Sequence, residues 1–248
     1  MTEICDHPEL SVVIPAYNEE RYLPRLLASL AGARDRYAAT GGTVELIVAD
    51  NMSTDGTARV AKALGARVVR VEERRIAAAR NGGAAAARGR IMAFLDADTV
   101  AVHPDTFAAI VTALDDPRVV GGATGCTLER WSVGLAATYA MMIPLVWATR
   151  FDTGLVFCRR ADFVAVGGYP DELRLAEDVA FLWRLRRLGR GREQRLRRLR
   201  RYKVVASTRK FDEHGDWHYF GFLARAPALL FGARFDALAD RYWYRPNR

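Results

Sequence analysis

An apolar run at residues 91–95 ends on two aspartates separated by one alanine, Asp96 and Asp98. Carboxylates this close repel one another, and keeping both ionised calls for a cation beside them. Oxygen ligands of this kind suit a hard divalent ion, Mg2+ or Mn2+, which commonly shares its coordination with phosphate oxygens and water. A lone D-x-D is more often a solvated turn. Here a further carboxylate, Asp50, also follows a strand-like run, and the basic stretch RNGG at 80–83 reads as a turn that would face a phosphate. Further along, Glu177 and Asp178 open a helical pattern, where negative charge is favoured anyway. A carboxylate held there can take the proton of an attacking hydroxyl, typically contributing on the order of 10²–10⁴-fold. The helix start is expected to hold Asp178 in place and to depress its pKa.

The elements that must position these groups follow from the hydropathy pattern. Short β-rich runs at 10–16, 43–49, 66–71 and 90–97 alternate with helical stretches. The helices are expected at 19–31, from about 53 with Ser53 or Thr54 as cap, and at 76–89 with an interruption at Gly82 and Gly83. Such alternation predicts an α/β fold, a mostly parallel sheet flanked by helices. Ligands of open α/β sheets bind beyond the carboxyl ends of the strands, where Asp50, Asp96 and Asp98 all fall. The second half predicts a helix near 104–115, a strand near 119–127, and a helix from Ala176 to Leu188 with apolar residues at 179, 182, 185 and 188.

The chain has 248 residues, 50% of them hydrophobic, so a sizeable core is within reach. Its net charge of +8 suggests an anionic partner without choosing among nucleotide, nucleic acid and membrane surface. A basic nucleic-acid-binding protein or a catalytically inactive nucleotide binder is the alternative class, but a cleft lined by carboxylates would repel a polyanion. The three cysteines, Cys5, Cys126 and Cys158, are far apart and support neither a disulfide framework nor a zinc site, which points to the cytoplasm. The stretch 132–149 is free of charge and reaches the lower length limit for a membrane span. It contains Gly134 and Pro144 and separates the D-x-D from the Glu-Asp pair, so a buried or interfacial helix is expected instead. The arginines of 184–203 read as a solvated face, with anionic lipid or a phosphorylated acceptor as the second reading. The aromatic stretch 217–245 is expected to dock on the domain, with a dimer contact or a peripheral seat on a membrane as alternatives.

Four stretches then carry a resemblance: VVIPAYNEE (12–20), VADNMSTDGT (48–57), ARNGGAAAARGRIMAFLDADT (79–99) and GGYPDELRLAEDVAFLWRLRRLG (167–189). In order and spacing they are similar to the signatures of the family 2 glycosyltransferases, over residues 10 to about 215. The resemblance implies a GT-A fold over 1–215 with a helical extension at 216–248, and inverting transfer from a UDP- or GDP-sugar to an acceptor hydroxyl, lipid-linked or carbohydrate. By the same resemblance Pro15, Ala16, Tyr17 and Glu19 surround the nucleoside, Asp50 meets the base and Arg80 lies near the phosphates. Asp96 serves the ribose, Asp98 the metal, and Asp178, beside Glu177, is the general base. His214 is a candidate third metal ligand, or part of a loop over the diphosphate with Arg209 and Lys210. No Q-x-x-R-W motif follows the Glu-Asp pair, which favours transfer of one sugar over polymer synthesis.

Overall fold

The first strand, β1 (Leu10–Ala16), is buried at every position, as its unbroken apolar sequence requires of a strand covered on both faces. The structure, a computed structural model, describes residues 7–149, 151–152, 154–173, 176–217 and 220. After β1 come α1 (Leu23–Ala38), β2 (Val44–Asp50), α2 (Thr57–Ala63), β3 (Arg67–Arg70), α3 (Ile76–Ala86), β4 (Ile91–Phe94) and β5 (Thr99–Ala101). They are followed by α4 (Thr106–Asp115), β6 (Val119–Leu128), α5 (Val133–Thr149), β7 (Val156–Arg159), α6 (Arg160–Ala165), α7 (Glu177–Arg190), β8 (Arg195–Ala206) and α8 (Arg209–His214). The chain divides into two units, one of Met1–Thr127 and Asp152–Ala206, the other of Leu128–Phe151 and Ser207–Arg248.

In the first unit eight strands form one sheet in the order β3-β2-β1-β4-β7-β6-β8-β5. The β3-β2-β1-β4 half is parallel, while β4–β7, β6–β7 and β5–β8 pair antiparallel. Ala16 lies opposite Asp50 and Val13 opposite Phe94, so the carboxyl ends of β1, β2 and β4 emerge at one edge. Pro15 has no N–H to give to a ladder, which is tolerable in this central strand because β4 runs alongside only Leu10–Val13.

The structure corrects several local expectations. Gly82 and Gly83 do not interrupt a helix, and 80–83 is no turn: both glycines lie inside α3. A Cβ on Gly83 would run into Val13 and come within 3.2 Å of Ala49 Cβ, and one on Gly82 would meet Val71. They are glycine so that α3 can lie close against the sheet, which outweighs the helix-propensity cost of about 1 kcal/mol each. Ser53 and Thr54 do not cap α2, whose N-cap is Gly56; Asp55 receives the Thr57 N–H instead. The buried stripe of α7 is Phe181, Leu182, Leu185 and Gly189, with Val179 and Leu188 only partly covered. The basic run from Arg195 forms strand β8, where Leu199 and Val204 are buried and Arg195, Arg197, Arg200, Arg201 and Lys203 face solvent.

In the second unit Arg130 pairs with Asp212 (2.5 Å) and Asp216 (2.7 Å), tying the start of α5 to α8. Of the two readings for 132–149, a buried or an interfacial helix, full burial is excluded: α5 leaves Val133 and Trp147 each 78% exposed and Ile143 53% exposed. No described helix is long and apolar enough to cross a membrane. Most of the 217–245 stretch lies outside the described residues. Cys126 and Cys158 form no disulfide among the described residues, and Cys5 falls outside them.

Candidate active site

The tips of β1 and β2 are sewn together mainly by backbone N–H groups donating to side-chain oxygens. Asn18 takes a left-handed backbone (φ 54°), donates its N–H to Ser53 Oγ (3.0 Å), and accepts the Thr54 N–H on its own Oδ1 (2.8 Å). Left-handed conformation costs asparagine less than most residues, which explains its presence here. The Glu19 N–H donates to Thr57 Oγ1 (2.8 Å) and Gly56 N–H to Glu20 (2.9 Å). Asp50, 7% exposed, accepts the Ser53 N–H (3.2 Å) and closes the turn after β2. Pro15 and Ala16 are buried strand residues, and Tyr17 at the rim is half-buried with the Arg74 guanidinium 4.3 Å from its ring centre.

On the other side of the β1–β4 edge, Arg80 organises everything. It projects from the second turn of α3 and is only 3% exposed. Its Nη1 reaches Glu177 (2.7 Å) and Asp178 (3.1 Å), and its Nη2 reaches Asp96 (2.7 Å) and Asp178 (3.1 Å). One guanidinium therefore gathers the first aspartate of the D-x-D and both acids at the start of α7. The rigid, planar donor fork of arginine is suited to such multiple pairing, whereas a lysine could offer only a point charge. Three carboxylates against one cation leave an excess of negative charge.

That imbalance overturns the expected behaviour of Asp178. Its side chain retains 21% exposure, yet the protein packed around it desolvates the charge, and its pKa is pushed up to about 7. Burial is the main cause; Arg80 pulls the other way, and Asp96 and Glu177 add repulsion. The helix terminus that was expected to depress this pKa is outweighed by desolvation. Ala176, in left-handed conformation (φ 59°), turns the chain sharply into α7 and fixes where both acids begin.

Asp96 and Asp98 lie in the turn just past β4, the first with 55% side-chain exposure and the second half-buried. Two hard carboxylates at an accessible strand end fit a divalent cation whose other ligands come from a diphosphate and water. Among the described residues no group of three or more His, Cys, Asp or Glu side chains is placed to hold a metal ion. His214 belongs to the second unit, on α8, where its Nδ1 lies 3.1 Å from the Lys210 carbonyl oxygen. A ligand role for it rests on the sequence reading alone.

Arg80 is not a rim residue: it is buried, with both terminal nitrogens on carboxylates and its Nε without a hydrogen-bond partner among the described residues. Sequence reasoning also missed its neighbour Asn81, which clamps the Tyr169 peptide from both sides, donating to its carbonyl and accepting its N–H, each at 2.9 Å. The signal was present in the polar RN pair set into an alanine-rich helix. Gly167 and Gly168, both with positive φ, cap α6 and swing Tyr169 into the core.

Comparison with known proteins gives this arrangement a setting. A sequence model described as Glycosyl transferase family 2 matches residues 11–163. Validoxylamine A glucosyltransferase of Streptomyces hygroscopicus subsp. limoneus is 36% identical over 125 residues, 48% of this chain and 26% of that protein. Dolichyl-phosphate beta-glucosyltransferase of Drosophila melanogaster is 43% identical over 107 residues, 39% of this chain and 33% of that protein. The matched part thus spans about a quarter to a third of the length of these relatives. Among solved structures, a Pyrobaculum calidifontis mannosyltransferase in complex with GDP-Man and Mn2+ superimposes with a TM-score of 0.61 at 24% identity, over 80% of this chain and 56% of that one. Glucosyl-3-phosphoglycerate synthase of Mycobacterium tuberculosis, in complex with Mn2+, UDP and phosphoglyceric acid, gives 0.56 at 25% identity, over 84% and 75%. The fold is that of the GT-A glycosyltransferases.

Proposed function

Because the chain belongs to glycosyl transferase family 2, we propose that it transfers one sugar from a UDP- or GDP-sugar to an acceptor hydroxyl with inversion, using a divalent cation and Asp178 as general base. The observation that carries the reading is the grip of Arg80, which ties Asp96 of the D-x-D and Asp178 to one buried side chain. Donor end and base end are thereby held in fixed relation without touching. The two structural relatives solved with Mn2+ and a guanosine or uridine nucleotide support the donor class.

Asp96 and Asp98 would hold the cation, Mg2+ or Mn2+; when bound, it neutralises the charge that develops on the departing diphosphate as a Lewis acid. Asp50, Tyr17, Glu19 and the backbone of Pro15 and Ala16 would form the nucleoside end. Asp178 receives the proton of the attacking hydroxyl, and a pKa of about 7 suits this task near neutral pH, where enough of it is ionised and still basic. Glu177, 9% exposed and bound to Arg80, orients its neighbour without meeting the acceptor. The same reading sets the protein in the cytoplasm, with the exposed Val133, Ile143 and Trp147 of α5 available to the inner face of a membrane.

Calorimetric titration of the full chain with UDP and GDP, with and without MnCl2, tests the reading. One of the two should bind in a metal-dependent way, Asp98→Ala should lose most of that binding, and Asp178→Asn should keep it. Metal-independent binding of equal strength in all three proteins contradicts it.

A further inference from the structure

Phe94, Phe163 and Phe181 form an aromatic cluster beneath the Arg80 site, and the fourth ring in it is a tyrosine, Tyr169. The ring is 1% exposed, stacked on Phe181 at 4.3 Å and 18°, and set edge-on to Phe94 at 5.0 Å. The Arg80 guanidinium lies 5.0 Å from its centre, and Asn81 locks its peptide on both sides. Packing alone would be served by a phenylalanine. The added hydroxyl is buried and completes no hydrogen bond among the described residues, and a phenol in that condition is destabilising. Such a group calls for an explanation, and a catalytic role is one of the few available.

We propose that Tyr169 is a positioning residue for the transfer step: its hydroxyl donates to the Asp178 carboxylate and steadies the ionised form that takes the acceptor's proton. The proposal rests on reading Asp178 as the base. Burial is the main influence on the phenol and holds its pKa well above the ordinary value; among the titratable groups around it Asp178 follows, raising it further, with Arg80 from α3 opposing and Cys158 from β7 and Asp96 beyond β4 adding smaller effects. Asp178 in turn is faced by Arg80, Asp96, Glu177 and Tyr169, and the phenol is a hydrogen-bonding influence that lowers its pKa. Catalytic hydrogen bonds are often long or poorly aligned before substrate binds, and the completed bond is assigned to the substrate complex. In the step itself the acceptor oxygen bonds to the anomeric carbon as the bond to the diphosphate oxygen breaks. The acceptor's proton moves to Asp178, the electron pair leaves with the nucleotide diphosphate, and Tyr169 keeps its proton throughout.

The test is Tyr169→Phe, which keeps the ring and removes only the hydroxyl. Release of nucleotide diphosphate from UDP-glucose or GDP-mannose, with MnCl2 and water as acceptor, should fall about tenfold at pH 7, the loss of one charge-assisted hydrogen bond. The deficit should shrink at pH 9, where Asp178 is ionised without help. Calorimetric nucleotide affinity should stay within about twofold, and the melting temperature should not fall. In the metal-free protein the carbon-13 titration of the Asp178 carboxyl should move to higher pH in the variant. Turnover unchanged at pH 7, a deficit equal at both pH values, or one matched by weaker nucleotide binding or a lower melting temperature, overturns the proposal. Asp178→Asn is assayed alongside: if it is inactive while Tyr169→Phe runs at the wild-type rate, only the tyrosine proposal fails, whereas wild-type turnover in Asp178→Asn removes the base reading and this proposal together.

Discussion

At the tips of β1 and β2, Asn18, Glu19, Glu20, Ser53, Thr54 and Thr57 join two loops mostly through hydrogen bonds of backbone N–H groups to side-chain oxygens. At the junction of α3 with α7, one buried guanidinium faces three carboxylates, and Asp178 is pushed up to about 7. The first region spends its polar groups on one another and holds its shape. The second concentrates unbalanced charge where water is scarce, a condition found where proton transfer is needed. On the proposed reading a scaffold for recognition and a device for chemistry sit at the same sheet edge, built from different interactions, and substitutions in the two should have different signatures.

The sharpest contrast is expected from Asp178→Asn. Turnover should fall on the order of 10²–10⁴-fold, with nucleotide affinity measured by calorimetry unchanged. Stability should respond in the opposite sense. The folded pKa of Asp178 lies above its ordinary 3.8, so the fold favours the protonated acid, and the stabilisation present below about pH 3.8 is withdrawn as pH rises to about 7. Urea unfolding of wild type and variant at pH 5 and pH 8 should therefore show the balance moving in favour of Asp178→Asn at the higher pH.

Arg80→Met is next in size. It abandons three carboxylates in a poorly hydrated site, and breaking buried pairing of this kind costs about 3–5 kcal/mol, to be read from urea midpoints at pH 8. The loss should shrink as pH falls and the acids become protonated. Gly83→Ala disturbs the packing of α3 on β1 and β2, with an expected cost of about 1–3 kcal/mol and little effect on its pH dependence. The smallest effect belongs to the β1–β2 tips: Asn18→Gly keeps the left-handed turn but drops the side-chain bonds to Thr54, costing about 0.5–1.5 kcal/mol. That loss should be the same at pH 5 and pH 8, since no charge is involved.

How far the sequence could be read follows the same division. The parallel half was legible because period and apolar runs encode it: 10–16 was expected and Leu10–Ala16 forms. Asp50, Asp96 and Asp98 were visible as carboxylates at strand ends, since their position follows from topology. What escaped depended on contacts between residues far apart in the chain. Nothing local says that Gly82 and Gly83 sit inside a helix, because the reason for them lies on Val71, Val13 and Ala49. The engagement of Arg80 with Glu177, 97 positions away, is likewise invisible to periodicity. Asp178 was misjudged because a helix terminus is a local feature and desolvation a tertiary one.

The central claim, that burial within an acid-rich cluster held by Arg80 keeps Asp178 a base near neutrality, is tested most directly by titrating that carboxyl. Carbon-13 spectra of the metal-free protein, assigned by comparison with Asp178→Asn, should give an apparent pKa of about 7. A midpoint near the ordinary 3.8 would contradict the account.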